Sequence, residues 1–140
     1  MIKVIADAPA IDELLFGENP KCQKLKEMIF NGKVPLRVPE TVRYEVLDSV
    51  VKKKAEPEHL QKLLSLVAQF LDCITVEMDA DQLSKAAELC KTLDIDLSSA
   101  ACLVLAASFV DVYITGEISV AKKLKRNGYP VLHLSEVFSI

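Results

Sequence analysis

The sequence predicts an α/β fold, a three-layer arrangement whose central, mostly parallel sheet is flanked by helices. Three observations predict it. Short β-branched segments alternate with helical segments and helical pairs from end to end. Residues 95–109 read as a capped helix that is apolar on nearly every side, so it must be buried on nearly every side. That helix runs into Val112-Tyr113-Ile114-Thr115, which has the β-branched, aromatic composition of a strand inside a sheet. Polar residues fall at the two edges of this unit: Asp96, Ser98 and Ser99 at the helix start, Thr115 and Glu117 past the strand. Open parallel sheets place ligand sites at the carboxyl ends of their strands. The question is which other acids meet Glu117 there.

The elements follow in order. Residues 2–6 (IKVIA) form a first strand ending at Asp7, and residues 11–16 a helical segment closed by a turn at Gly17-Glu18-Asn19-Pro20. Cys22, Leu25, Met28 and Ile29 repeat at helical spacing in a second helix, residues 21–30, which Asn31-Gly32 terminates. Residues 34–38 are a short strand bounded by prolines. Residues 40–54 are helical, with Val42, Val46 and Val50 on one stripe. Pro57 stands where proline is tolerated at the start of a further helix, residues 58–71, which pairs with its predecessor. Residues 73–77 (CITVE) are a third strand. Residues 79–93 form an amphipathic helix opened by acids that suit the positive end of its dipole. After the central helix and strand come a basic helix, residues 119–126, a turn at Gly128-Tyr129-Pro130, and a closing strand, residues 131–134. No repeat, low-complexity tract or linker interrupts residues 1–140, so one domain is expected.

With 140 residues and 51% hydrophobic composition, the chain is long and apolar enough for a real core. No segment reaches the roughly 18 uninterrupted apolar residues of a membrane span. The opening MIKVIADAP has too short an apolar run for a secretory signal, so a cytoplasmic protein is expected. Cys22, Cys73, Cys90 and Cys102 include no C-x-x-C pair, and neither His59 nor His133 completes a zinc pattern. They read as reduced, buried small hydrophobes. A net charge of −3 excludes a non-specific polyanion binder and leaves room for a local basic surface.

Asp7 directly follows the first strand, and Glu117 follows the VYIT strand after one glycine. If both strands are central and parallel, their carboxylates project at one sheet edge. Each also has a structural use, Asp7 as a helix cap and Glu117 as a first-turn acid. Glu45, mid-helix between Tyr44 and Val46, stands at the edge of an apolar stripe or is simply solvated. Converging carboxylates repel one another unless cations intervene, so such a cluster suits hard, oxygen-loving Mg²⁺ or Mn²⁺. Two such ions on a phosphodiester activate water and stabilise the departing oxygen.

The chain resembles the PIN-domain family, the nuclease fold of many toxin–antitoxin toxins and RNA-processing enzymes. The likeness rests on VIADAPAI, on VPETVRYEVL, and on SSAACLVLAA…VYITGE followed by KRNGYPVLHL, which arrive in the family's order and spacing. It implies a metal-dependent ribonuclease, with Asp7 as the first acid, Glu45 as the second and Glu117 as the fourth. The family's third acid falls at Ser99 in this chain. Asp96, one turn earlier, is either an N-cap or a substitute ligand assisted by Ser99, and Thr115 is auxiliary. Asp7→Asn is expected to abolish cleavage and leave the fold intact. The resemblance also implies a homodimer, and an antitoxin that binds a hydrophobic groove. The apolar helical pair around residues 60–71 supplies that groove or is core.

Lys122, Lys123, Lys125 and Arg126 crowd the helix after Glu117, and Lys52, Lys53 and Lys54 end another helix. They are either a solvated face or contacts to RNA phosphates beside the metal. With no Trp and three Tyr, base-stacking platforms have little support. Two other readings remain: a degenerate PIN fold serving as an RNA-binding or protein-interaction module, and an α/β domain unrelated to nucleic acid.

Overall fold

The computed structural model describes residues 3–109 and 111–137. Ile2 of the expected first strand, and Val110 between the central helix and strand, lie outside them. Five strands form one sheet: β1 (Val4–Ala6), β2 (Leu36–Pro39), β3 (Thr75–Val76), β4 (Val112–Thr115) and β5 (Val131–His133). Their spatial order is β3-β2-β1-β4-β5, and every pairing is parallel. Seven described helices flank the sheet: α1 (Ala8–Phe16), α2 (Pro20–Phe30), α3 (Glu40–Val51), α4 (Pro57–Ile74), α5 (Ala80–Leu93), α6 (Leu97–Phe109) and α7 (Ile118–Arg126). This is the expected α/β architecture.

The strand order creates the site. From β1 the chain builds outward through β2 and β3, then returns to add β4 and β5 on β1's other side. The direction of winding therefore reverses between β1 and β4, and a crevice opens at the carboxyl ends of those two strands. Register pairs Ala6 with Ile114, which sets Asp7 beside Thr115.

Helix α6 is buried without interruption from Ser98 to Ala106, as its composition required, and packs on α5, α3, β1, β2 and β4. Val42, Val46 and Val50 are the buried stripe of α3. Helix α5 opens with a capping box in which Asp79 accepts from the Gln82 backbone while the Gln82 side chain accepts from Asp79 N–H.

Several boundaries differ from the sequence expectation, among them that of β2, which begins at Leu36 rather than residue 34 and takes in Pro39. Helix α1 begins at Ala8 rather than residue 11, because Asp7 caps it and Pro9 is compatible with a first turn. Helix α3 stops at Val51, with Lys52 as its C-cap. Helix α4 absorbs Cys73 and Ile74, leaving β3 only Thr75 and Val76. The β-branched composition of CITVE suggests a longer strand, but the helical course packs Phe70 and Ile74 on the core, and Thr75 Oγ1 closes the helix on Leu71 O. Cys22 and Cys102 are buried as expected, whereas Cys73 is exposed and Cys90 half-buried, because they fall on outward faces of α4 and α5; all four are free thiols. No single described helix is long and apolar enough to cross a membrane.

Candidate functional site

Asp7 is the floor of the crevice. Its carboxylate is 3% exposed and accepts four hydrogen bonds. Oδ1 accepts from Ala10 N at 3.1 Å and Gly116 N at 3.0 Å; Oδ2 accepts from Tyr113 Oη at 2.8 Å and Thr115 Oγ1 at 2.5 Å. The helix-cap use of Asp7 is therefore realised, and β4 with its following turn supplies the other three donors. Thr115 Oγ1 in turn accepts from Glu117 N, so one threonine ties the first acid to the backbone of the last. Below them, Cys102 Sγ reaches Ala6 O; burial first, then the charges of Asp7, Glu45 and Asp96, push its thiol well above the usual range, so it carries no charge.

The other acids stand around this floor. Asp96 caps α6, its Oδ1 accepting from Ser99 N at 2.7 Å. Glu45 projects from α3 into the pocket that Ser98 also lines. Partial burial raises the Glu45 carboxyl, the nearby Ser98 hydroxyl works against that, and the charges of Asp96, Asp7 and Glu117 raise it further. Glu117 occupies the N-cap position of α7 without a side-chain capping bond. Asp7, Glu45, Asp96, Ser99 and Glu117 all line one pocket of about 380 Å³. Topology thus brings Glu45 and Glu117, 38 and 110 positions along the chain from Asp7, to the same pocket.

Sequence reasoning missed Asp12, Asp48 and Ser49, which also line this pocket, whereas it did name Lys52, which lines it too. Ser49 Oγ donates to Asp12 Oδ1, and Lys52 is paired with Asp48. Asp12 and Ser49 were findable as polar residues one turn from Asp7 and Glu45 on their helices. Tyr113 was hidden inside a strand pattern, where an aromatic reads as core.

The basic residues are divided. A neighbouring pocket shares Asp96, Ser99 and Glu117 and reaches Lys123, whose Nζ donates to Asp94 O at 2.8 Å. Lys125 is paired with Glu136, which the closing strand brings alongside α7. Lys122 and Arg126 are exposed on the same helix. A larger cavity of about 650 Å³ lies at the amino ends of β4 and β5, and none of the predicted site residues lines it. Asp111 lies there with both carboxylate oxygens buried and without a hydrogen bond, facing Arg37 Nε at 3.9 Å.

The acids suit a hard divalent cation in kind: all are carboxylates, and their charges add to the burial that raises the Glu45 carboxyl. As they stand, no three Asp, Glu, His or Cys side chains among the described residues close on a single ion position. Glu45 and Glu117 are exposed side chains that can swing inward, whereas the acceptor positions of Asp7 are already filled.

No family model matches the sequence, and none of the curated proteins matches it. Solved structures do. The chain is similar to FitAB bound to an IR36 DNA fragment, with TM-score 0.71 and 12% identity, covering 96% of each chain. It is similar to PAE2754 from Pyrobaculum aerophilum, with TM-score 0.67 and 15% identity over 95% of this chain and 84% of that one. VapBC2 from Rickettsia felis, bound to a DNA fragment from its promoter, gives TM-score 0.61 and 18% identity over 95% and 97%. At such identities the likeness establishes the fold, which is the PIN-like fold that the sequence motifs resemble.

Proposed function

We propose that this PIN-like chain is a divalent-cation-dependent endoribonuclease that hydrolyses RNA phosphodiesters, the toxin of a toxin–antitoxin pair acting in the cytoplasm as a homodimer. The observation that carries the reading is the convergence of Asp7, Glu45, Asp96 and Glu117 on one pocket at the reversal point of the sheet. Mg²⁺ or Mn²⁺ bound there would supply Lewis acidity toward a phosphodiester. Glu45, Asp96 and Glu117 present oxygens to hold the cation, and Asp7 sets the depth of the floor. Lys52 and Lys123, on opposite sides of the acids, stand where phosphates of a bound strand would pass, with Lys122 and Arg126 further along α7. The toxin role is supported by the PIN resemblance. Helix α4, whose Leu66 is 65% exposed while Val67 and Leu71 are buried, offers an apolar surface for an antitoxin.

The test is Mn²⁺-dependent cleavage of single-stranded RNA by the wild type and by Glu45→Gln. Loss of about 100-fold or more is expected in the variant, as for removal of a cation-binding group. Glu45→Gln is a clean probe of the site. Its folded-state pKa is raised, so the stability linked to this group is full at low pH and is lost as pH rises through that pKa. At neutral pH the Glu45 charge is therefore a burden on the fold, and the variant folds at least as well. Cation binding favours the deprotonated carboxylate, so Mn²⁺ uptake releases protons and weakens on acidification through a pH above the ordinary glutamate range; calorimetry in buffers of different ionisation enthalpy measures it. Equal cleavage by Glu45→Gln and wild type would remove the assignment.

A second reading has its own observation. Asp7 is fully hydrogen-bonded and the third acid is Ser99, which together favour a weakened site serving RNA binding or protein interaction. RNA binding without cleavage at millimolar Mn²⁺ selects it.

A further inference from the structure

Asp7 has about four acceptor positions as a carboxylate, and four donors occupy them. The donors differ in how firmly they are held. Ala10 N–H belongs to the first turn of α1 and Gly116 N–H to the turn after β4, so neither leaves without main-chain movement. Thr115 Oγ1 also accepts from Glu117 N, which fixes it from the other side. Tyr113 Oη is different: it ends a side chain and has no backbone duty. Its ring is fully buried, and burial above all, with the Asp7 carboxylate beside it, holds its proton far above the usual phenol range. It therefore remains a donor at every working pH.

We propose that Tyr113 is a positioning residue that competes with a cation for Asp7 Oδ2 and so locks the innermost carboxylate. This rests on the reading of the acidic pocket as a cation site. The outer acids Glu45, Asp96 and Glu117 hold the ion weakly, and tight binding requires the phenol to turn away from Asp7. Phenylalanine at 113 keeps the ring packing and opens one acceptor position on Asp7.

Mn²⁺ affinity measured calorimetrically on the full chain tests this with wild type, Tyr113→Phe and Glu45→Gln. Tyr113→Phe is expected to bind Mn²⁺ about tenfold tighter than wild type, the size of one charge-assisted hydrogen bond. A merely structural tyrosine would produce no gain. Binding in Tyr113→Phe that is equal to or weaker than wild type overturns the proposal, as does absence of binding in both. A second measurement needs no variant. Mg²⁺ saturation of the wild type should change the ultraviolet difference spectrum of a buried tyrosine as the phenol leaves its carboxylate, and an unchanged spectrum at saturation also overturns the lock. Glu45→Gln separates the two ideas. If it weakens Mn²⁺ binding while Tyr113→Phe has no effect, the cation site stands and the lock falls; if it leaves binding untouched, the cation-site reading fails.

Discussion

Asp7→Ala lowers the stability of the folded chain by about 4 kcal/mol, the size expected when several buried donors lose one acceptor. The carboxylate is 3% exposed, and its removal leaves Ala10 N–H, Gly116 N–H, Tyr113 Oη and Thr115 Oγ1 without their acceptor at the nearly buried floor of the crevice. Asp7→Asn is milder, about 2 kcal/mol. Its amide oxygen can keep the two backbone donors while the hydroxyls turn to accept from the nitrogen, but the charge-assisted character is lost. To the sequence-based expectation that Asp7→Asn leaves the fold intact, the structure adds a cost in stability, since this acid belongs to the core as much as to the crevice. Urea unfolding of the wild type and both variants measures it. Midpoints indistinguishable from wild type would show that the four bonds contribute nothing.

Gly116→Ala is the second large loss, about 3 kcal/mol, at the upper end of the cost of overpacking. A Cβ at Gly116 would lie 2.5 Å from Ala10 N and from Pro9 C, both main-chain atoms of the first turn of α1. Neither can swing aside, so the turn after β4 must part from α1 and the Gly116 N–H bond to Asp7 breaks with it. Close approach decides this glycine. Gly32 and Gly128 have open space around them but φ of 81° and 83°, so alanine there is expected to cost about 1 kcal/mol through backbone strain. Denaturation of the three alanine variants ranks the two causes, and a Gly116→Ala midpoint as high as that of Gly128→Ala contradicts the close-packing account.

Much of the framework was legible because it depends on short-range pattern. Nine consecutive buried residues of α6 follow from a helix with no polar face, and Val112–Thr115 is the strand that its β-branched run suggested. Asp7 and Asp96 were each open to a capping role, and both cap. What composition misjudged were segments where two local preferences compete. Cys73 and Ile74 are acceptable strand residues, yet helix α4 retains them because the helical course packs Ile74 on the core beside Phe70 and leaves Cys73 exposed.

The sequence by itself determined that an apolar helix and a β-branched strand occupy the centre of a parallel sheet, with acids at its strand ends, because burial and secondary structure follow from local periodicity. Only the tertiary structure decided what those acids touch. Tyr113 and Thr115 meet Asp7 across 106 and 108 residues, through the register between β1 and β4. Lys125 turns to Glu136, while Lys123 stays beside the acidic pocket. A hydrogen bond requires its partners within about 3 Å, and local periodicity places neither strand register nor the depth of a side chain to that precision.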